Sequence, residues 1–219
     1  LCAAKLPAIV SRFREHHPQV KLQITVGTPE ELIRMMEHDQ LDIIYILDAP
    51  RWSESWVKAM EVAEPVVFVA SPAFWAQKYA ECEKNGTVKW STKTVGQEEI
   101  SVRQITLDQI LQEPFFLTEK NANYRQALDQ HLASCRCCLS PVLEISDTAF
   151  IIQMLEQSRG LSFLPLFAVQ KQIWEGTLAA VEVDDVEISM YRQIFYHKNK
   201  FRTREMEQFI IFASEEENH

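Results

Sequence analysis

The chain has 219 residues, of which 47% are hydrophobic, and this is enough apolar material for one large domain or for two lobes. A formal net charge of −9 argues against binding nucleic acid through the bulk surface, because neutralising phosphates requires clustered Lys and Arg. Only 5 glycines and 24% charged residues argue against disorder. The sequence contains no run of about 18 apolar residues, the length that would predict a transmembrane helix.

The first quarter of the chain predicts a helix followed by a strand–helix–strand unit. Apolar residues spaced as on one helix face lie between Leu6 and Phe13, and Pro18 prevents the helix from continuing. Alternating apolar residues at 20–26 predict a half-buried strand. Thr28 and Glu31 form a T-x-x-E capping box that opens the next helix, and residues 41–47 read as the closing strand.

The middle of the chain predicts a long buried strand at 64–72 and a helix at 74–82. Polar residues dominate 84–103, which we expect to be a surface excursion or a hairpin. A short capped helix at 106–111, a brief strand at 115–117 and a helix at 124–134 follow.

A second strand–helix–strand unit lies past the middle. Its strand covers 142–145, Ser146 and Asp147 are the expected cap of a helix over 149–156, Gly160 is its expected C′ stop, and 161–164 return as a strand. The remaining elements are a helix stopped by Gly176, two strands and a final helix, at 167–174, 178–183, 190–196 and 203–213. Two such units favour two α/β lobes with a ligand-binding cleft between them.

This order of elements resembles the effector-binding domain of LysR-type transcriptional regulators. The resemblance rests on Leu6-Pro7, Val26-Gly27-Thr28, Leu41-Asp42-Ile43-Ile44, Tyr124-Arg125, Gly160-Leu161-Ser162-Phe163-Leu164-Pro165 and Phe209-Ile210-Ile211-Phe212. It implies an α/β fold of two Rossmann-like lobes joined by two crossover strands, similar to type II periplasmic binding proteins. The crossovers would be 66–70 and 192–196, with lobe I at 1–68 plus 196–219 and lobe II at 69–195.

Three features depart from the family pattern. The family's first strand and its helix-turn-helix domain would precede Leu1, so we expect a fragment or processed form whose DNA contact comes from the missing domain. The 84–103 excursion is longer than the usual connection. The loop Cys135-Arg136-Cys137-Cys138 replaces an expected glycine-containing turn.

Helix caps are the first candidates for the effector site. Thr28 and Ser146 would offer free N–H groups to an anion or carboxylate, while Asp147 and Glu119 also allow an amine or zwitterion. Each candidate also has a purely structural interpretation. The caps satisfy backbone N–H groups of their own helices, Asn123 is itself a possible cap, and Phe163 is a possible core residue. The expected effector-binding residues are Gly27, Thr28, Asn123, Tyr124, Ser146, Asp147, Phe163 and Cys2.

These features favour the ligand-sensing and oligomerisation domain of a bacterial regulator, with a small effector held between the lobes. A transport-type solute-binding protein is the alternative, and a two-lobed transferase is a third. The absence of catalytic motifs predicts no enzyme, no catalytic residue and no cofactor. The regulator interpretation implies a homodimer or homotetramer without membrane contact. Three of the five cysteines are clustered rather than dispersed as in secreted scaffolds, which predicts a cytoplasmic protein.

Two questions stay open at this point. No metal site is expected, but His131, Cys135, Cys137 and Cys138 leave zinc binding or redox sensing as hypotheses. The apolar faces of the helices at 28–37 and 150–157 are candidate dimer surfaces. The effector, the target promoter and the direction of regulation do not follow from the sequence.

Overall fold

The computed structural model describes residues 2–85, 89–95, 98–157, 159–181, 183–184, 186 and 188–216. At residues 2–4, 83, 89–95, 98–104, 184 and 189 it describes the backbone alone.

Helices and strands alternate along much of the chain. The helices are α1 Cys2–His16, α2 Pro29–Glu37, α3 Pro72–Lys84, α4 Leu107–Ile110, α5 Asn123–Ser134, α6 Thr148–Gln157, α7 Leu166–Glu175 and α8 Arg204–Glu216. The strands are β1 Ile44–Asp48, β2 Trp56–Ala70, β3 Lys89–Val95, β4 Glu98–Thr106, β5 Phe116–Leu117, β6 Leu143–Glu144, β7 Leu161–Pro165, β8 Ala179–Val181, β9 Val183–Asp184 and β10 Ser189–His197. Within the described residues, no helix is both long enough and apolar enough to cross a bilayer.

The chain divides into two compact units. The first consists of Leu1–Glu64 and Ser189–His219, and the second of Pro65–Ile188. The division falls inside β2 and at the start of β10, two strands that contain the expected crossover segments. The lobe boundaries at 68/69 and 195/196 stay a prediction.

The first unit is built on β1, β10 and the first part of β2. β1 runs antiparallel to β10, with Ile44 opposite Phe195. Helices α1 and α8 cover one core cluster, in which Ile9, Phe13 and Phe212 are buried. Helix α2 supplies Leu32 and Met36 to a second cluster.

The strand expected at 20–26 does not form. Residues 20–28 have no regular secondary structure, and the strand pattern there was therefore wrong. Val20 and Leu22 pack against the first core cluster, whereas Ile24 and Val26 are 52% and 74% exposed. An alternating segment becomes a strand only when a neighbouring backbone pairs with it, and no described strand pairs with this one.

The second unit contains the completed strand–helix–strand motif. β5 and β6 are parallel, with Phe116 opposite Leu143, and Phe115 forms a parallel bridge to Leu161 at the start of β7. β5 therefore lies between the two strands that α6 connects. The last part of β2 is antiparallel to both β7 and β8.

The polar stretch after α3 is a hairpin, as one of the two expectations had it. β3 and β4 pair antiparallel from Lys89 opposite Gln104 to Val95 opposite Glu98. Residues 86–88 and 96–97 of this stretch lie outside the described part of the chain.

Three helices end in the same backbone motif. The left-handed residue after each helix is Asp39 (φ 59°), Arg136 (φ 57°) or Gly176 (φ 74°). In each case two N–H groups bond back into the last turn, as Asp39 N to Met36 O (3.1 Å) and Gln40 N to Met35 O (2.9 Å) show for α2. This is the Schellman arrangement, and Gly176 takes its predicted place in it.

Gly160 was expected to stop α6 by a left-handed turn, and this was wrong. Only Gly176 has a positive φ among the described glycines. A Cβ on Gly160 would lie 2.5 Å from Cε2 of Phe116. The glycine is therefore required for close packing between the start of β7 and the β5 ring, not for chain reversal.

Candidate functional site

The N-terminus of α2 is closed by its own side chains. Glu31 N donates to Thr28 Oγ1 (3.3 Å) and Thr28 N donates to Glu31 Oε2 (2.9 Å), which confirms the predicted capping box. The hydrogen bond from the Thr28 backbone lowers the pKa of Glu31 from its usual value. Gly27 is exposed beside this cap. An anionic ligand at this helix end would compete with the Glu31 carboxylate.

An arginine fixes where this cap lies in the first unit. The Arg51 guanidinium bonds to Glu30 Oε1 (2.6 Å) in the first turn of α2 and to the Asp48 carboxylate at the end of β1. Its backbone N–H donates to Gln193 Oε1 of β10 (2.9 Å). These bonds hold the start of α2 against the end of β1 and the middle of β10.

At α6 the cap is Asp147 rather than the Ser146–Asp147 pair. Its Oδ1 accepts from Ala149 N (2.9 Å) and Phe150 N (3.3 Å). Ser146 and Asp147 are both exposed beside Thr148, the first residue of the helix. This helix end also carries a carboxylate of its own.

A polar corner of the second unit lies at the carboxyl ends of the parallel strands β5 and β6. Thr118 directly follows β5, Tyr124 lies in the first turn of α5, and Thr148 begins α6. Burial raises the pKa of the Tyr124 hydroxyl, and the nearby hydroxyls of Thr118 and Thr148 offset part of that effect. We call these three residues the hydroxyl corner.

The Thr118 hydroxyl lacks an aligned hydrogen bond in this corner. The residue is 3% exposed, and among the described residues no hydrogen bond of ordinary geometry reaches its Oγ1, although the Tyr124 hydroxyl lies near enough to interact with it. Such an atom at the edge of a parallel sheet is a candidate ligand contact.

Arg125 positions this corner, and its guanidinium is already paired with groups of the protein. The residue is 2% exposed, and its Nε donates to both carboxylate oxygens of Asp129 at 2.9 and 3.1 Å. Its Nη1 donates to the Thr118 carbonyl (3.0 Å) and lies 3.6 Å from Glu144 Oε2. The guanidinium thus ties the end of β5 to α5.

The remaining expected site residues differ in their placement. Asn123 is the first residue of α5, and the cap is Ala122, so the capping alternative for Asn123 was wrong. Phe163 is 2% exposed in the core, with its ring centroid 4.8 Å from that of Phe68. The side chain of Cys2 lies outside the described part of the chain.

Sequence reasoning missed Thr118 and Thr148. A local signal existed for Thr118, because a hydroxyl residue directly follows the apolar run Phe115-Phe116-Leu117. Nothing in the sequence pairs that position with Thr148, 30 residues later in the numbering.

The cysteine cluster shows no metal-site geometry. Among the described residues, no group of three His, Cys, Asp or Glu side chains is arranged to hold a metal ion. Cys135 Sγ lies 3.8 Å from His131 Nε2.

Known proteins share this fold and sequence pattern. The HTH-type transcriptional activator CmpR of Synechocystis is 21% identical over 213 residues, which cover 96% of this chain and 62% of CmpR. The CcmR regulatory domain of Synechocystis, solved in complex with 2-PG, superposes with a TM-score of 0.68 at 15% identity, covering 97% of this chain and 90% of that one. The effector-binding domain of QuiR, solved in complex with shikimate, gives 0.64 at 11% identity, covering 98% and 91%.

The structural matches show the α/β fold of two lobes that is similar to type II periplasmic binding proteins. The sequence match to a family extends further, over residues 1–83 and 98–217, and that family is described as the LysR substrate binding domain. The chain belongs to this family of LysR substrate-binding domains.

Proposed function

We propose that this chain is the effector-sensing and oligomerisation part of a LysR-type transcriptional regulator and that it catalyses no reaction. Family membership supports this proposal over a transport-type binding protein. The chain spans 62% of the length of CmpR, which is a transcriptional activator. In the whole protein, a helix-turn-helix domain would contact DNA, and a regulator of this kind acts in the cytoplasm.

The observation that carries the proposal is the hydroxyl corner, in which the buried Thr118 Oγ1 makes no well-aligned hydrogen bond. Its neighbours there are the hydroxyls of Tyr124 and Thr148. Three hydroxyls can each donate and accept, so a polar ligand group would satisfy Thr118 without requiring a charge. An effector that fills this corner stabilises the arrangement of β5, α5 and α6 around it.

The charges around the caps restrict the chemistry of the effector. Glu31 and Asp147 already occupy the helix N-termini, and Glu119 is exposed next to Thr118. We therefore propose a small zwitterion or hydroxylated acid that directs an ammonium or hydroxyl group to the hydroxyl corner. The complexes of CcmR with 2-PG and of QuiR with shikimate support a small metabolite as the effector class.

The first unit is proposed to contribute Thr28 and Gly27, and the second Ser146, Asp147 and Asn123. Phe163 would act by supporting the corner from the core, since its ring is buried. That one effector molecule contacts residues of both units stays a prediction. Coupling between effector binding and subunit packing, typically about 1–3 kcal/mol, would transmit the signal to DNA.

A thermal-shift screen tests this function. The panel has three arms: amino acids, hydroxylated acids, and simple carboxylates without hydroxyl or amino groups. We expect stabilisation that increases with concentration, as mass action requires, in the first two arms. Stabilisation by simple carboxylates alone would contradict the proposed chemistry, and a blank in all three arms would contradict the sensing function.

A further inference from the structure

The C-terminal end of α5 carries three thiols within four residues, and the proposed effector site uses none of them. Arg136, between the first two, has a left-handed backbone with φ 57°. Arg136 N donates to Ala133 O (3.0 Å) and Cys137 N donates to Leu132 O (2.8 Å). These two bonds complete a Schellman motif and fix the geometry of the turn.

This turn separates the three cysteines into one inner and two outer thiols. Cys137 is half-buried, packs against the core cluster that contains Leu132, and donates its S–H to Cys135 O (3.6 Å). Cys135 and Cys138 are free and exposed. The two outer thiols are spaced as C-x-x-C, a spacing at which a disulfide closes a short loop.

Cys135 has a base within reach, which makes it the attacking thiol. His131 Nε2 lies 3.8 Å from Cys135 Sγ and can accept the thiol proton. Disulfide exchange begins from a thiolate, so a proton acceptor beside Cys135 favours Cys135 as the attacking thiol.

We propose that Cys135 and Cys138 form a reversible disulfide by exchange with a low-molecular-weight disulfide such as oxidised glutathione. The Cys135 thiolate attacks one sulfur, forming a mixed disulfide and releasing one thiolate, while the Cys135 proton passes through His131 to water. Cys138 then attacks the Cys135 sulfur, gives its proton to water, and releases the second thiolate. Two protein thiols are oxidised and one small disulfide is reduced to two thiols.

The test uses this chain with the substitution Cys2→Ser. Intact mass and peptide mapping detect disulfide formation during incubation with oxidised glutathione. We expect a Cys135–Cys138 disulfide that dithiothreitol reverses, with the buried Cys82 unmodified as internal control. Cys138→Ser should trap one glutathione on Cys135. Cys137→Ser is the matched control and should still form the disulfide.

A variant of His131 tests whether Cys135 reacts because the imidazole accepts its proton or only because its thiol is exposed. His131→Gln should slow the reaction of Cys135 at pH 7 but not above about pH 9, where a thiol ionises unaided. Absence of the Cys135–Cys138 disulfide at excess oxidised glutathione would overturn the proposal. Preferential modification of Cys137 or Cys82, or a disulfide in Cys138→Ser that joins Cys135 to Cys137, would also overturn it.

Discussion

At the start of α2 and the end of α7, single residues take their predicted places, because the signals that place them are local. Thr28 and Glu31 form the predicted capping box, and Gly176 takes the predicted left-handed position. Thr118 is different, since its importance depends on Tyr124 and Thr148, which only the tertiary fold brings near it. A residue whose role comes from long-range packing gives the sequence reader no comparable pattern.

The charge of Glu31 predicts a pH-dependent contribution of the cap. Its folded-state pKa lies below the ordinary value of 4.5, so the contribution is present above that pH and is lost as pH falls through the folded pKa. Wild type should therefore have a higher urea midpoint than Glu31→Gln at pH 7. That difference should vanish in acid, and a difference independent of pH between 7 and 3 would contradict this account.

The left-handed backbone of Arg136 predicts that glycine is preferred there. Arg136→Gly should raise the free energy of unfolding by about 0.5–1 kcal/mol, because glycine adopts a positive φ without steric cost. The converse control is Gly176→Ala, where a Cβ meets no atom within 4 Å and only backbone strain acts. The free energy of unfolding of that variant, measured by urea titration, should be about 1 kcal/mol lower than that of the wild type. Destabilisation by Arg136→Gly would show that its side chain matters more than its backbone.

Secondary-structure elements were predictable where periodicity and pairing agree. Helix α6 and strand β7 lie close to their expected positions, and so does α2. The prediction of a strand at 20–26 was wrong because alternation indicates only that one face of the segment is apolar. A β-ladder also needs a partner backbone. β2 begins at Trp56, earlier than expected, because its first part mixes partly buried and exposed positions, and a half-buried strand of this kind depends on its neighbours.

Gly160 links the packing of two elements and gives a test at that scale. Gly160→Ala would place a Cβ against the Phe116 ring, so β5 or β7 must shift. We expect a loss of about 1–3 kcal/mol in the free energy of unfolding, as for overpacked cores. Combining it with Phe116→Leu should recover part of the loss by removing ring atoms. Full stability of Gly160→Ala would contradict the packing role.

At the scale of the whole molecule, the two repeated strand–helix–strand motifs and the family match predict two lobes. Each motif supplies the sheet and the core that one lobe needs. The antiparallel pairing of β1 with β10 joins residues about 150 positions apart, and no local pattern announces it. Much of the apolar surface of α2 and α6 is buried in its own unit, through Leu32 and Ile151 among others. This leaves less of either helix for a dimer surface than the sequence predicts.

What remains exposed on α6 predicts the effect of one substitution on assembly. Phe150 is 42% exposed, so we expect Phe150→Glu to lower the dimer fraction in sedimentation equilibrium by placing a charge in the interface. Trp174→Glu on α7, where the side chain is 76% exposed, is the matched control and should leave the dimer unchanged. A monomeric wild type, or equal effects of both variants, would contradict the proposed surface.

The most direct measurement of the central claim is the calorimetric Kd of the effector found in the thermal-shift screen, compared among three proteins. Thr118→Val keeps the shape of the side chain and removes the hydroxyl, and Thr25→Val makes the same change at an exposed position. We predict a Kd weakened about 10-fold or more in Thr118→Val, since a lost hydrogen bond costs about 1.5 kcal/mol, and an unchanged Kd in Thr25→Val. Equal affinity of Thr118→Val and wild type would contradict the assignment of the hydroxyl corner as the effector site.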